Sequence, residues 1–161
     1  MRGDRGTVVR PGRGIAGAVA VLLGAALLLA AGAGTTTVRG ERDGTPVEVV
    51  RPDAIPAAGA PGVVVVHGFA GSARLMRAWS LALARAGFVV AAPDLAGHGR
   101  STQPLGEVEA LAADVARARA ALVAEPGVDP GRIGLLGHSL GTGAALASVA
   151  AGTPFVDVVL V

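Results

Sequence analysis

Four consecutive valines, Val63–Val66, stand between Pro61-Gly62 and His67-Gly68. Successive side chains of a strand point to opposite faces, so a strand with one face in water alternates apolar and polar residues. This stretch does not alternate. It predicts a strand buried on both faces, the condition of a strand inside a parallel sheet. Parallel neighbours need crossover connections long enough to hold a helix. The rest of the chain can be read for such connections.

Phe88–Ala92 reads as a second buried strand, Arg132–Leu136 as a third and Val156–Val161 as a fourth. Helical patterns stand between them. Ser72 is placed to cap a helix running to about Ala86, with Leu75, Trp79, Leu83 and Ala86 along one face and Gly87 as its stop. A second helix is expected from Glu107 to about Glu125, with Leu111, Val115 and Leu122 toward the sheet, broken by the segment Pro126–Pro130. A third, rich in alanine, covers Leu140–Ala151. Upstream, TTTVRGERDGTPVEVVRP reads as a β-hairpin turning at Asp43-Gly44, followed by the Pro/Ala/Gly connector Pro52–Pro61. Strands alternating with helices predict an α/β fold with a mainly parallel sheet and helices on both faces, over residues 37–161.

The sequence GLLGHSLGTGAA, residues 134–145, places a Gly-x-Ser-x-Gly core at the junction of a strand and a helix. That is the context of a nucleophile elbow, with Ser139 as nucleophile. A sharp turn there lifts the hydroxyl clear of the sheet and crowds its neighbours, so glycines stand two residues away on each side. The helix beginning at Leu140 offers free N–H groups and a favourable dipole to a developing oxyanion. A chance match is the bland alternative in a chain with 25 glycines, and the strand–turn–helix setting weighs against it. HGFAGS, residues 67–72, follows the valine strand directly. The Phe69 N–H is the expected second oxyanion donor beside the Leu140 N–H. His67 reads as a residue that orders this turn rather than as a base. PDLAGHGRS, residues 93–101, follows the next strand, and its Asp94 and His98 read as loop-ordering residues rather than triad members.

HGFAGS, DLAGHGRS and GHSLG, in that order, resemble the α/β-hydrolase superfamily, in its esterase, lipase and serine-aminopeptidase-like branch. The resemblance covers Thr37–Val161, the first six of the family's usual eight strands, so the fold it implies is incomplete at the C-terminus. In that family the residue matching His138 flanks the site and is not the base. Thr142 departs from the pattern, since glycine is common at its position.

The same resemblance raises a difficulty. The family's triad runs serine, then acid, then histidine. Only 22 residues follow Ser139, and all three histidines, His67, His98 and His138, precede it. The single later carboxylate, Asp157, opens the last strand, the wrong end for a triad acid. VDVVLV is apolar with no polar stop, so the expectation is that these residues are the front part of a longer protein, and that alone they have negligible hydrolase activity.

The N-terminus has a separate logic. Residues 1–13 form a basic leader of four arginines and one aspartate, and no charged residue occurs from Gly14 to Val38. About 20 apolar residues span a bilayer core, so 14–34 reads as a membrane anchor. Cleavage as a signal peptide after Ala31-Gly32-Ala33, or burial as a soluble helix, are the alternatives. The first two readings put the arginines inside and the domain outside the membrane, tethered, or secreted if cut near Ala33. The formal charge is only +2, the leader carries +3 of it, and aromatic residues are 2% of the chain, so nucleic acid is not an expected partner. There is no cysteine, no clustering of metal ligands and no phosphate loop, so no cofactor is expected.

Three functions follow. The first is an extracytoplasmic, membrane-tethered serine hydrolase of ester, thioester or amide bonds in a small-molecule or lipid-like acyl substrate. The second is a non-catalytic binding or scaffold protein on the same fold. The third is an anchored fragment without a stable fold.

Overall fold

The hairpin opens the sheet, and its turn is made by the two residues expected. In the computed structural model, which describes residues 33–161, Asp43 and Gly44 both have positive φ, 49° and 83°. That is the two-residue turn whose twist matches antiparallel strands. It joins β1 (Thr35–Arg42) to β2 (Thr45–Pro52), paired from Arg42↔Thr45 back to Thr35↔Pro52. The chain continues through β3 (Ala60–Val66), α1 (Arg77–Arg85), β4 (Val89–Pro93), α2 (Val108–Ala124), β5 (Val128–Gly137), α3 (Leu140–Ala150) and β6 (Val158–Leu160). The six strands form one sheet in the order β1-β2-β4-β3-β5-β6. β2 runs antiparallel to β1 and β4, while β3/β4, β3/β5 and β5/β6 are parallel. Gly34–Val161 is one compact unit. The basic leader and most of the apolar segment 14–34 lie outside the described residues. Among the described residues no helix is long and apolar enough to cross a membrane.

The valine strand separates two cores. Val64 and Val66 pack with Val47, Val49, Val89 and Ala91 against Leu111, Val115, Ala118 and Leu122 of α2 and Ala144 and Ala145 of α3. Val65 points to the opposite face, with Val50, Val90 and Leu136 against Met76 and Ala84. Helices therefore cover both faces, as the absence of alternation requires. Val64, Val65 and Val66 have no exposed surface, and each contributes roughly 2 kcal/mol through removal from water. Val63 is half-buried, in a surface pocket that Leu83 of α1 and Phe88 also line.

Three elements differ from their sequence reading. α1 begins at Arg77, five residues after Ser72, whose hydroxyl instead accepts the Leu75 N–H in an exposed turn at 3.3 Å. Leu75 and Trp79 face outward, and the buried positions near and along α1 are Met76, Ser80 and Ala84. Small side chains at 80 and 84 let the helix lie close on the valines beneath it, which a tryptophan would prevent. β5 begins at Val128 and runs through the Pro126–Pro130 segment read as a breaker, with a register shift between its pairs Ala60↔Val128 and Gly62↔Ile133. A proline is tolerated at such a bulge, where no ladder donor is needed. β6 is three residues long rather than six, although backbone bonds from Val156 N–H to Ile133 O and from Val161 N–H to Gly137 O extend its pairing.

Candidate active site

Ser139 sits in the turn between β5 and α3 with φ 52° and ψ −118°. Serine reaches this region only at a cost of order 1–3 kcal/mol. Three backbone bonds hold it there: His138 N–H to Val66 O at 3.0 Å, Ser139 N–H to Val161 O at 2.9 Å, and Gly141 N–H to His138 O at 2.9 Å. The flanking glycines are spatial necessities. A Cβ on Gly137 would lie 2.7 Å from the Gly141 carbonyl oxygen, and one on Gly141 would lie 2.6 Å from that of His67. Thr142 fits without disturbance, its hydroxyl 3.4 Å from the Gly137 carbonyl oxygen. The Ser139 side chain is exposed and makes no hydrogen bond among the described residues.

The strain at Ser139 gives a stability prediction. Ser139→Gly should raise the unfolding free energy by about 1 kcal/mol, because glycine adopts positive φ without penalty. Ser139→Ala should leave it nearly unchanged. Urea unfolding of the two variants side by side checks this, and equal midpoints would mean the turn is not strained.

The loop after β3 passes close beside the elbow. A Cβ built on Gly68 would stand 3.0 Å from the Ser139 Cβ and 3.1 Å from the His138 Nδ1. The next N–H along the loop is that of Phe69, and the N–H after Ser139 is that of Leu140. Neither donates to any acceptor among the described residues. The Phe69 ring is 72% exposed and meets the edge of His98 at 5.7 Å between centroids.

His67 and Asp94 tie this loop to its neighbour after β4. His67 is fully buried. Its Nε2 accepts the Leu95 N–H at 3.1 Å, which leaves the proton on Nδ1, 2.8 Å from the Gly68 carbonyl oxygen. With both nitrogens engaged by backbone, this ring has no lone pair for a serine. Asp94 is also buried. Its Oδ1 accepts the Ala73 N–H at 2.7 Å, and its Oδ2 accepts the Arg100 N–H at 3.1 Å and Nε–H at 2.9 Å. The Nδ1 of His98 lies 2.9 Å from the Ala96 carbonyl oxygen. All three residues order loops, in keeping with their sequence reading. Asp157 lies at the β6 end remote from Ser139, where its carbonyl accepts the Leu135 N–H.

Asp114 of α2 escaped the sequence reading. It is buried and accepts from Thr45 Oγ1 at 2.5 Å, from the Ala96 N–H at 2.8 Å and from Arg117 Nη1 at 3.0 Å. It binds the hairpin to the loop carrying His98. A lone aspartate three residues after Leu111 on an otherwise apolar helix face was the available signal.

Burial pushes the His67 pKa below its usual 6.5, against the bond to Gly68 that favours the charged ring, with the neighbouring His98 lowering it further. The native protein thus binds fewer protons here than the unfolded chain once the pH drops below about 6.5. The stabilisation is full above that pH and is lost as pH falls toward the lowered value. Urea midpoints should therefore decline from pH 7 to pH 5, and His67→Asn should decline less steeply over the same range.

A family model of the alpha/beta hydrolase fold matches residues 61–157, more than half of the chain. This chain belongs to the α/β-hydrolase fold family. No curated relative matches it. Among solved structures it is similar to a bacterial heroin esterase at 24% identity and a TM-score of 0.65, covering 89% of this chain and 49% of that one. It is also similar to a highly thermostable carboxyl esterase from Bacillus coagulans at 23% identity and a TM-score of 0.62, covering 78% and 43%. A lipase solved in its open form matches at 24% identity and a TM-score of 0.63, covering 78% and 43%. This α/β-hydrolase chain thus spans about half or less of the length of these three structures. At such identities they support the fold and nothing finer.

Proposed function

We propose that these residues carry the nucleophile half of a serine hydrolase acting on ester, thioester or amide bonds. Ser139 attacks the carbonyl carbon, and the Phe69 and Leu140 N–H groups hold the oxyanion. A histidine and an acid from outside these 161 residues complete the relay, taking the serine proton and returning it to the leaving group. The observation that carries this reading is Ser139 itself, exposed at a positive-φ turn, with the Phe69 and Leu140 N–H groups unpartnered among the described residues. The esterase and lipase neighbours make a small acyl ester, or a lipid-like one, the favoured substrate class. In this reading the domain lies on the outer side of a membrane, tethered by residues 14–34 or released by cleavage near Ala33. The charge asymmetry of the leader supports that placement.

A fluorophosphonate probe tests the chemistry. Protein made by the native host should gain the probe mass on the tryptic peptide that contains Ser139, and Ser139→Ala should gain none. The 161-residue chain alone should label negligibly. Absence of labelling in the native-host protein would overturn the nucleophile and leave the binding-module reading.

A further inference from the structure

The loop after β4 holds the loop after β3 near both of its ends. The Leu95 N–H donates to His67 Nε2, and the Ala73 N–H donates to Asp94 Oδ1. Between these points stands Phe69. Its N–H and its carbonyl have no hydrogen-bond partner among the described residues. The bond from Gly71 N–H to Gly68 O at 3.0 Å makes Phe69 and Ala70 the central residues of a tight turn, Ala70 at φ 54°. No polar contact therefore fixes Phe69 to the rest of the molecule. Its side chain supplies the handle. The ring lies edge-to-face with His98, 5.7 Å between centroids at 82°, a preferred geometry of aromatic pairs.

His98 is placed to be a fixed partner. It is 7% exposed, its Nδ1 is 2.9 Å from the Ala96 carbonyl oxygen, and its ring also meets that of buried His67 at 5.3 Å. The His98 N–H donates to Leu95 O and the Ser101 N–H to His98 O, each at 2.9 Å. Gly97 and Gly99, on either side, have positive φ, and a Cβ on them would run into Leu105 and Asp94. The bend that buries His98 is thus closed on both flanks. We propose that His98 is a positioning residue, which through the Phe69 ring fixes the Phe69 N–H beside Ser139. The inference rests on the hydrolase reading above, in which that N–H holds the oxyanion. A donor already in place needs no reorganisation as charge develops. A ring contact can hold it there without occupying the N–H, which a hydrogen bond would do.

One test needs no catalysis. In the full chain, in detergent micelles, the NMR order parameter of the Phe69 amide should be about 0.85 and should fall below about 0.6 in His98→Ala. The Ala73 amide, held by Asp94, should keep its value. Phe69→Ala breaks the same contact from an exposed position that leaves the core intact, and it should loosen the amide at residue 69 equally. The other test is the rate of fluorophosphonate labelling at Ser139 in protein made by the native host. Loss of a whole oxyanion donor costs about 10²–10³-fold, so loosening one by His98→Ala should cost about tenfold. His98→Phe, which keeps a ring there, should recover most of it. Adding Phe69→Ala to His98→Ala should cost nothing more, because the two act through one contact. A Phe69 amide equally rigid with and without the His98 ring would overturn the proposal, as would losses that multiply in the double variant. No labelling of the wild-type protein would overturn the hydrolase reading and this inference with it. Labelling unchanged in His98→Ala would overturn this inference alone.

Discussion

Gly141→Ala should cost this protein at least about 3 kcal/mol of stability or prevent its folding. The added Cβ would lie 2.6 Å from the His67 carbonyl oxygen and 2.7 Å from that of Val66. Both are backbone atoms at the end of β3, a strand held by β4 on one side and β5 on the other. Neither can move without breaking the sheet beneath the elbow. Two residues along the same helix, a Cβ on Gly143 would meet nothing within 4 Å. Gly143→Ala should therefore stabilise by about 0.5–1 kcal/mol through helix propensity alone. Urea unfolding of the two variants should move the midpoint in opposite directions. A mild effect of Gly141→Ala would show that the elbow can separate from β3, which would undermine the close approach of the Phe69 loop to Ser139.

Removing the Asp94 carboxylate should be nearly as damaging. Asp94→Ala leaves the Ala73 and Arg100 N–H groups and the Arg100 guanidinium without their acceptor. Loss of one partner from a buried pair costs about 3–5 kcal/mol. The Arg100 side chain is 45% exposed and regains water, so the lower end of that range applies. The loss is local as well as global. Asp94 bridges residues 73 and 100, in the loops after β3 and β4, so the variant should also exchange the Ala73 amide proton faster. Asp94→Asn keeps an acceptor for one N–H and should fall between the two. Urea unfolding together with hydrogen exchange checks both effects, and an unaltered exchange rate at Ala73 would remove the bridging role.

The two variants probe the same construction from opposite ends. One asks how tightly the elbow seats on β3, the other how firmly the loop beside it is held. Both features bring a pair of unused N–H groups to the neighbourhood of an exposed serine. Neither supplies a base, since the His67 lone pair already accepts the Leu95 N–H.

What could be read from the amino-acid order was local. The Asp43-Gly44 turn, the doubly buried valine strand and the Gly-x-Ser-x-Gly bend depend on backbone angles and side-chain period over a few residues. Those forces act before any distant contact forms, and the family resemblance rested on stretches as short, HGFAGS, DLAGHGRS and GHSLG. What only the tertiary structure decided was which polar group meets which. Asp94 takes an N–H 21 residues away, and Asp114 takes a hydroxyl 69 residues away. The inward face of α1 was decided there too, because Ser80 and Ala84 are small enough for the sheet and Trp79 is not. The burial of Glu48, whose carboxylate accepts the Arg39 Nε–H at 2.8 Å, belongs to the same class. A glutamate in an alternating strand looks like any solvent-facing residue until the loops after β3 and β4 close over it, and that closure is a long-range event that no local pattern encodes.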